Sequence, residues 1–174
     1  TAAEQFAGTS MKKNLQFIQN NIEGDLPGNF EKEFRKRTYE AFKTELKPVE
    51  GVGDLINRIT VPYCVASSGP VEKIRLNLSI TGLIDKFEGK IYSSYDIGSW
   101  KPEPGIFLHT AKQMGFKPSD CIVIEDSDAG IKAAKAGGFE VFAITKGKKK
   151  KLFEDLGAKV FSNMKELEEE LIDR

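Results

Sequence analysis

From about position 60 onward the chain alternates short apolar runs with longer amphipathic ones, and this alternation restricts the fold more than any other feature. "VPYCVAS" (61–67), "GKIYSS" (89–94), "CIVIE" (121–125), "EVFAIT" (140–145) and "AKVFS" (158–162) read as strands. Helical stretches lie between and after them. "PVEKIRLNLSI" (70–80) turns Val71, Ile74 and Leu78 inward, and "PGIFLHTAKQMG" (104–115) closes on Gly115. "AGIKAAKAGG" (129–138) stops at two glycines, and "KKLFEDLG" (150–157) and "MKELEEELI" (164–172) follow. Strands that alternate with helices across short loops form a parallel sheet covered on both faces. The expected class is α/β, a Rossmann-like parallel sheet flanked by helices.

Residues 1–47 differ, because they carry no strand signal. Ser10 can cap a helix with Met11, Leu15, Ile18 and Ile22 on one face. "GDLPGN" breaks it. A second helix carries Phe30, Phe34, Tyr39, Phe42 and Leu46 on or near one stripe and ends before Pro48. This part reads as a helical hairpin with an aromatic face. Such a stripe is more often core than contact surface. The chain opens on Thr1, in apparent mid-helix, as a processed or incomplete chain would.

A chain of 174 residues suits one domain with a small appendage. Its 26 basic and 26 acidic residues balance, which gives no support to a nucleic-acid partner. No apolar run approaches the roughly 20 residues of a membrane helix, and no signal peptide opens the chain. Cys64 and Cys121 each sit in an apolar run, as reduced, buried thiols of a cytoplasmic protein do. Composition carries no signal for oligomeric state.

In parallel sheets of this kind, ligands bind beyond the carboxyl ends of the strands. The residues there are Ser67-Ser68-Gly69, Ser93 onward, Glu125-Asp126 and Thr145-Lys146. No Gly-x-Gly-x-x-Gly and no Gly-x-x-x-x-Gly-Lys-Ser/Thr follows any of them, which argues against dinucleotide and P-loop nucleotide sites. "VASSG" offers hydroxyls and backbone N–H groups at a helix start, a phosphate cradle. Taken alone, Ser67 or Ser68 is more often an ordinary cap. "SWKPEPGIF" holds Lys101 between Trp100 and two prolines, where it can neutralise a phosphate or remain a solvated charge. Trp100 is expected to pack beneath the loop.

"VIEDSDAG" ends a strand in adjacent acids, Glu125 and Asp126. Two such carboxylates repel unless a cation lies between them, and a hard cation such as magnesium suits oxygen ligands. Asp126-Ser127-Asp128 also has the look of a nucleophile with an acid two residues on. Ser127 or Asp128 can instead cap the next helix. His109 is the single histidine, mid-helix, and is expected half-buried or on the surface. Ser67 lacks the elbow and base of an acyl-transfer nucleophile. "KGKKKK" (146–151) reads as a solvated loop.

Taken in order, "VASSG", "KPEPGIF" and "VIEDSDAG" resemble the second, third and fourth motifs of the haloacid dehalogenase-like hydrolases, the helical-cap subgroup above all. That subgroup includes β-phosphoglucomutase and sugar-phosphate phosphatases, and "YDIGSWKPEP" and "ITVPYCVASSGP" look most like the 6-phosphogluconate phosphatase type. The resemblance covers nearly the whole chain.

It implies a partial helical cap over 1–47 and a Rossmann-like core over 48–174. Ser67 would hydrogen-bond the transferring phosphoryl group, helped by backbone N–H groups of Ser68 and Gly69, and Lys101 would neutralise its charge. Glu125 and Asp126 would bind Mg2+, with Ser127 in support and Asp128 capping the helix. Thr9 and Ser10 would reach the substrate from the cap. The implied activity is magnesium-dependent phosphatase chemistry on a small phosphorylated metabolite, with a sugar phosphate as the expected class. The alternatives are a phosphosugar mutase and a non-catalytic remnant that binds phosphate ligands or a partner.

The resemblance also reassigns Asp126-Ser127-Asp128. The nucleophile of such enzymes lies in a first motif, Asp-x-Asp-x-Thr/Val, at the end of an N-terminal central strand. No apolar strand among these 174 residues ends in Asp-x-Asp. The implied nucleophile segment is therefore absent from this chain, which as written is expected to be inactive without it. Its absence should leave a gap in the sheet beside Ser67 and Asp126.

Overall fold

A computed structural model describes residues 10–172. Helices α1 (Met11–Asn20) and α2 (Phe30–Glu45) come first, followed by α3 (Val52–Arg58). The alternating part then runs β1 (Val65–Ser67), α4 (Val71–Ile80), α5 (Ile84–Phe87), β2 (Ile91–Ser93), α6 (Ser94–Ile97) and α7 (Gly105–Gln113). It continues with β3 (Ile122–Glu125), α8 (Asp128–Ala136), β4 (Glu140–Ile144), α9 (Lys150–Asp155), β5 (Lys159–Phe161) and α10 (Met164–Ile172). All five expected strands form. So do the expected helices, within a residue or two at most ends.

Every strand pairing is parallel. Strand β1 pairs with β2, Val65 opposite Ile91 and Ser67 opposite Ser93. Strands β3, β4 and β5 pair in chain order, with Glu125 opposite Ala143 and Ile144 opposite Phe161. No ladder joins β1 to β3 among the described residues, so the sheet lies in two parts. The protein is an α/β fold of parallel sheets flanked by helices.

Side-chain alternation along β4 builds the layers, because successive strand residues point to opposite faces. Val141 and Ala143 join Ile106 and Phe107 of α7, Ile131 of α8 and Phe153 of α9 in one core. Phe142, between them in sequence, joins Leu55 of α3, Phe161 of β5 and Leu167 of α10 in the other. Ala66 of β1 and Tyr92 of β2 pack against the first core, so both parts of the sheet share it.

Strand β1 starts at Val65 rather than at 61. Its partner β2 is only three residues long, and Pro62 has no N–H to give a ladder. Helices α3, α5 and α6 had no clear signal. They span seven, four and four residues, too few turns for a helical period to register. The aromatic stripe of α2 is not core: no residue of α1 or α2 is buried.

Candidate functional site

The site begins where β1 ends. Ser67 Oγ accepts a hydrogen bond from Gly69 N at 3.2 Å, closing the turn before α4. The N-cap of α4 is Pro70, so neither serine occupies the capping position. The loop is braced from β2. Ser93, wholly buried, donates from Oγ to the Gly69 carbonyl at 2.7 Å and accepts from Tyr95 N at 3.1 Å. The chain thus fixes the backbone of 67–69 by one hydroxyl inside the turn and another across the sheet.

Lys101 comes from the loop before α7 and is buried, 7% exposed. Its ammonium donates to Glu125 Oε1 and lies 4.9 Å from the centroid of the Phe107 ring. The expectation of a solvated lysine is excluded. Glu125, at the end of β3, is 8% exposed and well satisfied. Its Oε2 accepts from Ser127 Oγ at 3.0 Å and from Asp126 N at 3.3 Å. A buried ion pair of this kind persists because each remaining polar atom finds a donor.

Ser127 is the N-cap of α8. Its Oγ accepts from Gly130 N at 3.1 Å while donating to Glu125. This corrects the expectation for Asp128, which is the first residue of α8 and lies 3.9 Å from Lys149 Nζ. The hydroxyl of Ser127 reaches both the helix N–H and the glutamate, whereas Asp128 already lies inside the first turn of α8, past the capping position. Gly130 is required by the same packing: a methyl group there would overlap the Glu125 carboxylate.

Asp126 stands at the open side, exposed as a residue. Its carboxyl is nevertheless held above the usual carboxylate range. Crowding by protein is the main cause and the Glu125 charge adds to it, while Lys101 and Lys149 pull the other way. A cation shared by the two acids would relieve that repulsion. No group of three or more His, Cys, Asp or Glu side chains is placed to hold a metal among the described residues. Two adjacent carboxylates still fit magnesium, which takes one or two of them and completes its shell with water and substrate phosphate.

Ser67, Ser68, Gly69, Lys101, Glu125, Asp126 and Ser127 all line one cavity of about 640 Å³. Sequence reasoning therefore assembled seven of its nine site residues in one place. Ser10 is not in the lining. Its Oγ accepts from Lys13 N at 3.3 Å and caps α1, whose Met11 and Asn14 face the cavity instead. Thr9 lies outside the described residues.

Other lining residues had no motif to announce them: Arg35 and Phe34 of α2, Lys73 and Asn77 of α4, and Tyr95. Spacing alone could have flagged Lys73, one helical turn beyond Gly69, and Asn77, one turn further. Trp100 packs edge-on against Tyr95 with ring centroids 5.5 Å apart, and its buried Nε1 has no hydrogen-bond partner among the described residues. His109 is half-buried, edge-on to Tyr92 at 6.4 Å. Both cysteines are free and half-buried rather than buried. No helix among the described residues is long and apolar enough to cross a membrane.

Known proteins resemble this chain in the same terms. Residues 1–138 match the family described as haloacid dehalogenase-like hydrolase. The 6-phosphogluconate phosphatase of Escherichia coli (strain K12) is 38% identical over 109 residues, covering 63% of this chain and 49% of that protein. The β-phosphoglucomutase of Bacillus subtilis (strain 168) is 32% identical over 120 residues, covering 65% and 51%. The chain thus matches about half the length of each of these two relatives. Among solved structures, a conserved haloacid dehalogenase-like protein of unknown function from Agrobacterium tumefaciens str. C58 superposes with a TM-score of 0.79. It is 31% identical and covers 95% of this chain and 78% of that one.

Proposed function

The chain belongs to the haloacid dehalogenase-like hydrolases, and from that premise we propose that it forms the phosphate and metal half of a magnesium-dependent phosphatase site for a small phosphorylated metabolite of the sugar-phosphate class. The observation that carries this reading is the meeting of the Ser67–Gly69 loop, Lys101 and the Glu125–Asp126 pair in one cavity. The names of the two curated relatives support the substrate class.

In this reading residues 48–174 are the core and 1–47 a partial helical cap. The Ser67 hydroxyl already accepts from Gly69 N, so its proton is free to bind a phosphoryl oxygen. The backbone N–H of Ser68 serves the same oxygens, whereas the Gly69 N–H, expected to do so too, is committed to the Ser67 hydroxyl and orients it. Lys101 offsets the charge of the transferring group, held in place by Glu125. Asp126 and Glu125 would hold Mg2+, which when bound supplies charge neutralisation at the phosphoryl oxygens. Ser127 keeps Glu125 oriented and the cap helices exclude water from the cavity.

The chemistry needs an aspartate nucleophile, giving an aspartyl-phosphate that water then hydrolyses. The reading takes that aspartate from an extended segment outside the described residues, pairing between β1 and β3. Two observations support this placement: the sheet is divided there, and Ile124 of β3 is left 42% exposed at the cavity. Until that segment is present the chain is expected to bind but not to turn over.

The test is phosphate release from a panel of small phosphate esters, with and without magnesium, by protein carrying the segment. Release should require magnesium and fall by about a hundredfold or more in Lys101→Met and Asp126→Asn. Complete protein with magnesium that releases no phosphate overturns the phosphatase reading. An isomeric sugar phosphate in place of free phosphate would establish a mutase, which the resemblance to β-phosphoglucomutase keeps in view.

A further inference from the structure

We propose that Arg35 and Lys73 form a subsite for a second anionic group, a carboxylate or a second phosphate, on the same small molecule whose transferring phosphate sits at Ser67–Gly69 and Lys101. This rests on the phosphatase reading and narrows its substrate class to doubly anionic, hydroxylated phosphate esters.

The cavity contains three cations with different partners. Lys101 is matched by Glu125. Arg35 gives Nε and Nη2 to Glu31 Oε1, at 2.9 and 2.7 Å, and Nη2 also donates to Tyr95 Oη at 2.9 Å. Its Nη1 has no bond among the described residues. Lys73 has neither a hydrogen bond nor an ion pair among them, and its Nζ lies 5.5 Å from the centroid of the Phe42 ring. Burial and the Arg35 charge together hold the Lys73 ammonium below its usual range. Two like charges that share a cavity wall, one of them without a carboxylate, are costly unless an anion joins them.

Position and polarity fit a substrate that spans both ends. Lys73 packs over the phosphate loop, its Cδ 3.6 Å from where a Cβ on Gly69 would stand. The subsite therefore adjoins the phosphate site. One turn further along α4, Asn77 lines the same cavity, and its buried Oδ1 has no hydrogen-bond partner among the described residues. A buried carbonyl oxygen of this kind calls for a donor, and a substrate hydroxyl supplies one. About 640 Å³ is also far more room than a phosphate ion alone requires.

The experiment is titration calorimetry of the chain, in magnesium, with three ligands of equal carbon number: a neutral polyol monophosphate, an aldonic-acid monophosphate and a polyol bisphosphate. A second anion should tighten binding by about tenfold or more over the neutral ligand. A gain for the acid alone assigns a carboxylate to the subsite, and a gain for the bisphosphate alone assigns a phosphate. Arg35→Gln and Lys73→Gln should each bring the ratio of affinities toward one, while Arg35→Lys should keep part of it. Equal affinity for all three ligands in the unmodified chain, or a ratio untouched by both glutamine variants, overturns the subsite alone. If neither the neutral monophosphate nor inorganic phosphate binds, the phosphatase reading falls and the subsite falls with it.

Discussion

The cavity is bounded by two regions built on opposite terms. On one side stands the β3–β4–β5 unit. Strand β4 is buried on both faces and α8 buries five of its nine residues, Ala129, Gly130, Ile131, Ala133 and Ala134. On the other stand α1 and α2, which together run 26 residues without burying one. Helix α2 meets the rest through thin contacts, Arg35 with Tyr95 and Phe42 beneath Lys73. The first region holds Lys101 and Glu125 in a buried, hydrogen-bonded geometry. The second supplies lining residues from elements that separate at low cost. In the proposed phosphatase reading, catalytic positioning would reside in the closely packed side and choice of substrate in the thinly attached one.

The largest test of that contrast is Phe142→Ala. Phe142 is fully buried in the core on one face of β4, with Leu55 and Leu167 and against Phe161 at 5.1 Å between ring centroids. Truncation should cost about 3–5 kcal/mol of unfolding free energy, measured by denaturant titration. A loss below about 1 kcal/mol would show the β3–β4–β5 unit to be as loosely built as the helices across the cavity.

Next in size is Gly130→Ala. The new methyl group overlaps the Glu125 carboxylate, which is itself fixed by Lys101, Ser127 and Asp126. We expect a loss of about 1–3 kcal/mol from overpacking, together with weaker binding of phosphate. Unchanged phosphate affinity would mean that the position of Glu125 does not control the site.

The same contrast explains what the sequence discloses. Strands β1 to β5 were legible as short apolar runs, which a sheet covered on both faces requires, and the large helices because burial on one face imposes a period. The Ser67 and Glu125 clusters were legible because they stand at strand ends, and Lys101 because two prolines follow it ahead of a helix. Arg35, Lys73 and Asn77 were not, since each sits within an ordinary helix and acquires meaning only when the fold brings α2 and α4 together. The Phe30–Phe42 stripe was misread as core for the converse reason. An aromatic period records that one face is covered, not how deeply. Ser127 displaced Asp128 as the cap through a bond to Glu125 that local spacing does not contain.

A smaller effect follows on the helical side. Phe34 lines the cavity yet remains 47% exposed, stacked on Phe30 with ring centroids 6.3 Å apart. Phe34→Ala should cost under about 1 kcal/mol in stability while changing which phosphate esters compete best for the cavity. A cost near that of Phe142→Ala would make α2 part of the core and erase the distinction between the two regions.

The smallest expected effect bears on the β1–β2 strands, which lie between these extremes. Cys64 precedes β1, and burial, with a lesser contribution from Cys121, pushes its thiol up to about 11. The reactive form is the thiolate, so at pH 8 Cys64 should alkylate more slowly than an unhindered cysteine. Its rate should keep climbing past the ordinary thiol range toward pH 11. The sign for stability follows. The unfolded chain deprotonates first, so this thiol's contribution is fully present below the unfolded value and is lost as pH rises through the folded one. Mass-spectrometric alkylation rates from pH 7 to 11 provide the measurement. A midpoint at the model-peptide value would place the β1–β2 part with the open helices. A raised midpoint would place it with the closed core, where the shared packing of Ala66 and Tyr92 puts it.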